Sequence, residues 1–157
     1  MVRLARIMFF ICPVVLSSCA TFNYSSSGSD VELLATGYRQ LIQRHEPQGL
    51  VFLSGGFDSK KNVYLEANLK VFEKLKVNNI TFLPVSAASF DGFQFKERAT
   101  GREGIMLAAQ IRRRIDGQIL LRAGYLIKGD RMGVFEYSAK HQHGQWILTD
   151  TGNAPTY

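Results

Sequence analysis

Two places in the chain carry residue types whose spacing suggests chemistry. One is the string Leu53-Ser54-Gly55-Gly56-Phe57-Asp58-Ser59. Paired glycines let backbone N–H groups come close to a phosphate-sized anion. Ser54 and Ser59 could add hydroxyl donors, and a helix starting just beyond would turn its positive end toward the same point. The candidate anion-binding residues are therefore Ser54, Gly55, Gly56 and Ser59. The other place is Cys19, preceded by Leu16-Ser17-Ser18. Small residues there fit a peptidase cleft, and the cysteine thiolate is the side chain able to form a thioether to a lipid. Cys19 is the candidate lipidation site.

Other groups carry less. His141-x-His143 has two metal-type ligands, but no Cys or nearby carboxylate completes the set, so a solvent-facing turn and no metal are expected. In Arg112-Arg113-Arg114 the outer two share a strand face and could meet lipid phosphate or an acidic partner; a charge run that protects a strand edge is the plainer reading. His45 ends a predicted helix, where a cation suits the dipole. No Ser/His/Asp set stands in a recognisable context, so no catalytic residue is assigned and neither an enzyme nor a cofactor is expected.

The N-terminus sets the compartment. Arg3 and Arg6 precede Ile7 to Leu16, a run of 10 residues without charge. A charged segment followed by an apolar one is the layout of a secretory signal, and a helix would need roughly 20 residues to span a bilayer. The expected organisation is a signal at 1–18, a lipidated Cys with a flexible tether rich in serine (Ser25-Ser26-Ser27-Gly28-Ser29) at 19–29, and a single α+β domain at 30–157. Of the two cysteines, Cys12 would leave with the signal, so no disulfide is expected in an exported chain that could have formed one. Removing 18 residues from 157 leaves 139, enough for a real core. The 19 basic residues less Arg3 and Arg6 are 17, against 13 acidic ones, a net charge of +4. That is too mild for a nucleic-acid partner, and suits a solvated surface near an anionic membrane or an acidic protein.

The elements that would position these residues follow from periodicity. Val31, Leu34, Ala35, Tyr38, Leu41 and Ile42 fall on one helical face and predict a helix over 30–45, with Ser29 and Glu32 as a capping box and Pro47 and Gly49 ending it. Leu50 to Ser54 reads as a buried strand turned by Gly55-Gly56. Lys60 to Lys76 reads as a second helix with Leu65, Leu69 and Phe72 on its apolar face, closed by Asn78-Asn79. Ile80 to Val85 is a second strand, its direction open. Ser86 to Arg102 reads as a long loop with a short strand at Phe93 to Phe95.

The last third alternates instead. Ile105, Leu107, Ala109 and Ile111 form one face of a strand, and Asp116-Gly117 is a strong signal for a tight hairpin turn. Leu121, Ala123, Tyr125 and Ile127 follow on a return strand. Gly129-Asp130 turns into a strand from Arg131 to Ala139, and Gly144 precedes a last one at Gln145 to Leu148. This predicts an antiparallel β-meander of four strands with Trp146 covering the sheet.

Three resemblances add to this reading. Leu16-Ser17-Ser18-Cys19 resembles the lipobox of bacterial lipoproteins, which implies acylation (palmitate among the chains) and a membrane anchor at Cys19. Ala20 in place of Asp implies, by the same likeness, sorting to the outer membrane with the domain in the periplasm. The Ser54 to Ser59 string resembles the SGGxDS phosphate loop of the ATP pyrophosphatases, where Asp58 would help hold a metal. An exported chain meets no steady ATP, and the predicted meander is not that family's architecture, so local capping by Asp58 and Ser59 is the preferred reading. Finally, the order of elements is similar to the TrbH-like lipoproteins of conjugal transfer systems, above all over Ile111 to Trp146, with Asp116-Gly117, Gly129, Phe135, Tyr137 and Gly144-x-Trp146. That likeness implies a non-catalytic structural or assembly component of a conjugation or type IV secretion apparatus, with other envelope proteins as partners. The alternative is a periplasmic module that captures an anionic ligand at Ser54 to Ser59.

Overall fold

A computed structural model of the chain describes residues 28–113, 118–128 and 131–152. Cys19, the tether up to Ser27, and the turns expected at Asp116-Gly117 and Gly129-Asp130 lie outside the described residues. The fold is α+β. Helix α1 (Gly28–His45) leads into β1 (Gly49–Asp58), β2 (Val63–Glu66), the short helix α2 (Leu69–Lys74) and β3 (Ile80–Pro84). A single 3-10 turn (Val85–Ala87) precedes the hairpin of β4 (Ala88–Phe90) and β5 (Phe95–Glu97). The meander follows as β6 (Glu103–Arg113), β7 (Ile119–Ile127), β8 (Arg131–Gln142) and β9 (Gln145–Asp150).

The strands join in the order β2-β1-β6-β7-β8-β9. From β6 to β9 every pairing is antiparallel, as short connections require. Strand β1 is parallel to both β6 and β3, which settles the strand direction that the sequence left open.

Helix α1 lies across one face of the sheet. Val31, Leu33, Ala35, Tyr38 and Leu41 are buried against Val51, Leu53, Leu107, Ala109, Leu121, Ala123, Tyr137 and Ala139. The sheet residues alternate along their strands, so one set of side chains faces the helix. Contact is closest at Gly37, where a Cβ would stand 2.5 Å from the Leu121 side chain. Each fully buried leucine here contributes about 1.5–3 kcal/mol through burial. Trp146 seals one end: its indole N–H donates to the Ser29 carbonyl at 2.9 Å.

Three local expectations are corrected. Ser29 lies inside α1, past the position a capping residue occupies, and the Glu32 carboxylate reaches Lys74 of α2 at 2.9 Å instead of closing a capping box. The helix expected over Lys60 to Lys76 is a strand followed by six helical residues. Its true N-cap is Asn68, whose side chain accepts from the Lys70 N–H at 2.9 Å. The cause is the unfilled edge of β1. Strand β3 pairs with Gly49 to Leu53 and stops at Pro84, beyond which β2 takes over from Ser54 to Asp58. The expected loop from Ser86 to Arg102 is largely the β4–β5 hairpin, closed by Asp91, whose Oδ1 accepts from the Phe93 and Gln94 N–H groups. Lys96 sits 2.9 Å from Asp91 and, with those two N–H groups, holds its carboxyl at about 2.

Candidate functional site

The Ser54 to Ser59 string is not a loop before a helix. Strand β1 runs straight through Gly55 and Gly56 to Asp58 and then turns back as β2. The pairing slips between Ser54 and Gly56, which makes a β-bulge. Both glycines are required by it. Gly56 has φ +121°, and a Cβ on Gly55 would lie 2.5 Å from the Glu66 carbonyl oxygen. The Ser54 hydroxyl is fully buried and committed: it lies 2.9 Å from the Gly56 and Leu65 carbonyl oxygens and accepts from the Gly56 N–H at 3.2 Å. Below it, the Tyr38 hydroxyl donates to the Ser54 carbonyl at 2.6 Å, and burial raises the Tyr38 pKa far above its ordinary value.

The anion cradle expected at Ser54, Gly55, Gly56 and Ser59 therefore loses the helix end that was to supply its dipole, and the Gly56 N–H already has a partner. Asp58 caps no helix either. Its Oδ1 accepts from the N–H groups of Lys60 and Lys61 at 3.0 and 3.3 Å and shapes the β1–β2 turn. What the bulge does is aim Gly56, Phe57 and Ser59 across the other face of the sheet, where they form one wall of a groove.

That groove is the candidate site. It has a volume of about 370 Å³ and lies on the sheet face that α1 does not cover. Its floor follows from register. Ala108, Gly124 and Val134 stand opposite one another across β6, β7 and β8, so small side chains meet in the middle strand positions. Two residues along in one direction, Met106, Leu126 and Met132 form an apolar row; two residues along in the other, Gln110, Arg122 and Glu136 form a polar one. Phe57 and Tyr64, with ring centroids 5.1 Å apart, make the wall on the β1–β2 side. Met106 and Leu126 continue into a second apolar cluster with Leu50, Phe52, Val85, Ala88 and Phe95, roofed by the β4–β5 hairpin. No residue of that hairpin is among those lining the groove over Ala108 and Gly124.

Charged and amide side chains converge at one end. Arg122 Nε lies 3.4 Å from Glu136 Oε2, and both side chains are mostly buried. The Gln110 side chain packs against Gly56, 3.0 Å from where a Cβ there would be. The groove thus has an apolar length and one hydrogen-bonding end, the usual design of a small-ligand site.

The remaining candidates are placed as follows. His141 lies at the end of β8 with its ring against Trp146, at a centroid distance of 5.0 Å, and His143 sits in the β8–β9 turn with φ +50°. Among the described residues no cluster of His, Cys, Asp or Glu has the arrangement of a metal site. Arg112 pairs opposite Leu120 on β7. His45 does not stand free at the helix end. Its ring packs 3.8 Å from that of Tyr125, its Nε2 is buried without a hydrogen-bond partner, and burial with the neighbouring Arg44 charge lowers its pKa. Among the described residues no helix is long and apolar enough to cross a membrane. The groove was missed in the sequence because it is built from the complementary alternating set, Met106, Ala108 and Gln110 against Arg122, Gly124 and Leu126. The signal available was the pair of small residues, Ala108 and Gly124, at facing positions. Comparison of the chain with family models, curated proteins and solved structures gives no match.

Proposed function

We propose that this chain is a lipid-anchored, non-catalytic envelope lipoprotein of the outer membrane, its domain in the periplasm, and that it serves as a docking component of a conjugal transfer or type IV secretion apparatus. The single observation that carries the binding role is the uncovered groove: an apolar depression with one polar end, on a sheet whose other face is sealed by α1. The anchor rests on Leu16-Ser17-Ser18-Cys19 after an uncharged apolar run, and the apparatus on the likeness in element order to TrbH-like lipoproteins. A tether of small polar residues lets such a domain stand off the bilayer and search for its partner.

Two measurements in the source bacterium test this. With radiolabelled palmitate, the wild-type chain takes up label and sediments with membranes, whereas Cys19→Ser does neither; label retained by Cys19→Ser would remove the anchor. Deleting the gene lowers DNA or protein transfer, and wild type but not Cys19→Ser restores it. Transfer that is indifferent to the deletion overturns the assignment to that apparatus.

A further inference from the structure

We propose that the groove takes an unbranched acyl chain, laid over Ala108 and Gly124 with its polar head at Gln110 and Arg122. This rests on the groove being the working surface and names what occupies it. The volume of about 370 Å³ falls at the lower end of the range for small ligands, roughly 300–1,000 Å³. It suits one slender molecule better than a broad one.

The chemistry of the lining decides the class. A sheet face presents side chains, not main-chain donors and acceptors, because those of β6, β7 and β8 are spent on one another. A peptide strand lying there would bury its own N–H and C=O groups without partners, which is costly. A polymethylene chain has no such groups. It gains from contact with Phe57, Tyr64, Met106 and Val134, and the two unbranched methionines at Met106 and Met132 can refit around it. Gly124 brings no side chain to the floor, where the Val134 side chain lies beside it, so the recess stays shallow and smooth enough for a slender chain. The polar end then falls where an acyl chain has its head: Gln110 offers both an amide donor and an acceptor, and the Arg122 guanidinium is held in place by Glu136. Met132 is 55% exposed at the opposite rim, an apolar side chain left in water beside the groove.

The shared chemistry is the acyl chain. Its source is either a free fatty acid or an envelope phospholipid, and the test separates them. The chain from residue 20 onward keeps both apolar clusters whole and is titrated with cis-parinaric acid, a fluorescent fatty acid, then competed with palmitate. Saturable binding displaced by palmitate is expected. Ala108→Phe fills the floor and should weaken binding by about tenfold or more with the unfolding midpoint retained. Should Ala108→Phe not fold, Met132→Ala decides, since its exposed position spares the fold; it should weaken binding several-fold. Binding that is absent, non-saturable or untouched by both variants overturns the inference. Incubation with vesicles of phosphatidylethanolamine and phosphatidylglycerol, followed by gel filtration, identifies the source: phospholipid carried at one per chain points to the membrane, palmitate alone to free fatty acid. The two readings separate cleanly. If no acyl chain binds yet Ala108→Phe lowers transfer in the cell, the docking role stands and the acyl inference falls. If an acyl chain binds and transfer ignores Ala108→Phe, the acyl inference stands without that role.

Discussion

The two faces of the central sheet are built from the same four strands and have opposite fates. On the face toward α1, Leu107, Ala109, Leu121, Ala123, Tyr137 and Ala139 are sealed under a helix that approaches as closely as Gly37 allows. On the other face, Ala108 and Gly124 are as small as Ala109 and Ala123, yet no helix covers them: Ala108 is half-buried, Gly124 is buried beside Val134, and both line the groove. Size is therefore not what distinguishes the faces. A small residue under a helix brings two backbones together, whereas a small residue with no cover leaves a recess. The covered face should answer to mutation through stability, and the open face through binding.

The largest effect should come from the covered face. Leu121 is fully buried directly beneath Gly37. Leu121→Ala removes its methyl groups and leaves a cavity that the helix cannot close, a loss of about 2–5 kcal/mol. Chemical denaturation measures it. A loss under about 1 kcal/mol would mean that α1 is not held there.

Ser54→Ala comes next and tests what the bulge is for. The change leaves the buried Gly56 N–H without its acceptor, and whichever of the Gly56 and Leu65 carbonyls takes the single hydroxyl proton without its donor, a cost of about 1–3 kcal/mol. Sulfate, phosphate or ATP with magnesium should leave the unfolding midpoint of wild type unchanged, since a ligand that binds only the folded state must raise it. An unchanged stability in Ser54→Ala together with lost stabilisation by phosphate would restore the anion-site reading of Ser54 to Ser59.

The order of these two effects mirrors what could be read from the sequence. Helix α1 and the meander were legible because each repeats one period over many residues, and burial on one side enforces it. The register of β6 on β7 follows the same pattern. The strands pair Arg113 with Ile119 and Leu107 with Tyr125. That pairing is the one that keeps both apolar sets on the helix side, as the burial of a whole face demands. The bulge was not legible. Two adjacent glycines mark a positive φ and a close approach whether they form a turn, a phosphate loop or a bulge, and only the empty edge of β1 beyond Pro84 decides among them. That edge also turned Val63 to Glu66 into a strand, although Leu65 fits a helical face equally well. Half of the expected anion set, Gly56 and Ser59, lines the groove, where the bulge places them.

On the open face, Met132→Ala should change stability by less than about 0.5 kcal/mol, because the side chain is 55% exposed and supports little packing. A large loss there would show that the open face is part of the core and would erase the contrast between the faces.

The smallest effect lies at the margin of the covered face, where α1 ends. The His45 ring rests on Tyr125, and Arg44 lies over the Phe135 ring at 4.1 Å. Burial first, and the Arg44 charge second, lower the His45 pKa below its ordinary 6.5. The folded chain therefore favours neutral imidazole, and the unfolded chain takes up a proton at a higher pH than the folded one does. The stability that His45 contributes is whole above about pH 6.5 and is lost as pH falls from there toward the lowered folded value. His45→Phe keeps the stacking on Tyr125 but cannot titrate. The difference in unfolding free energy between wild type and His45→Phe, followed from pH 8 to pH 5.5, should be flat above about pH 7 and shift in favour of the variant below about 6.5. Carboxylates titrate lower and are common to both chains, so they cancel in that difference. A difference that stays constant across the whole range would mean that the His45 ring is not held against Tyr125 and that the covered face ends one helical turn earlier.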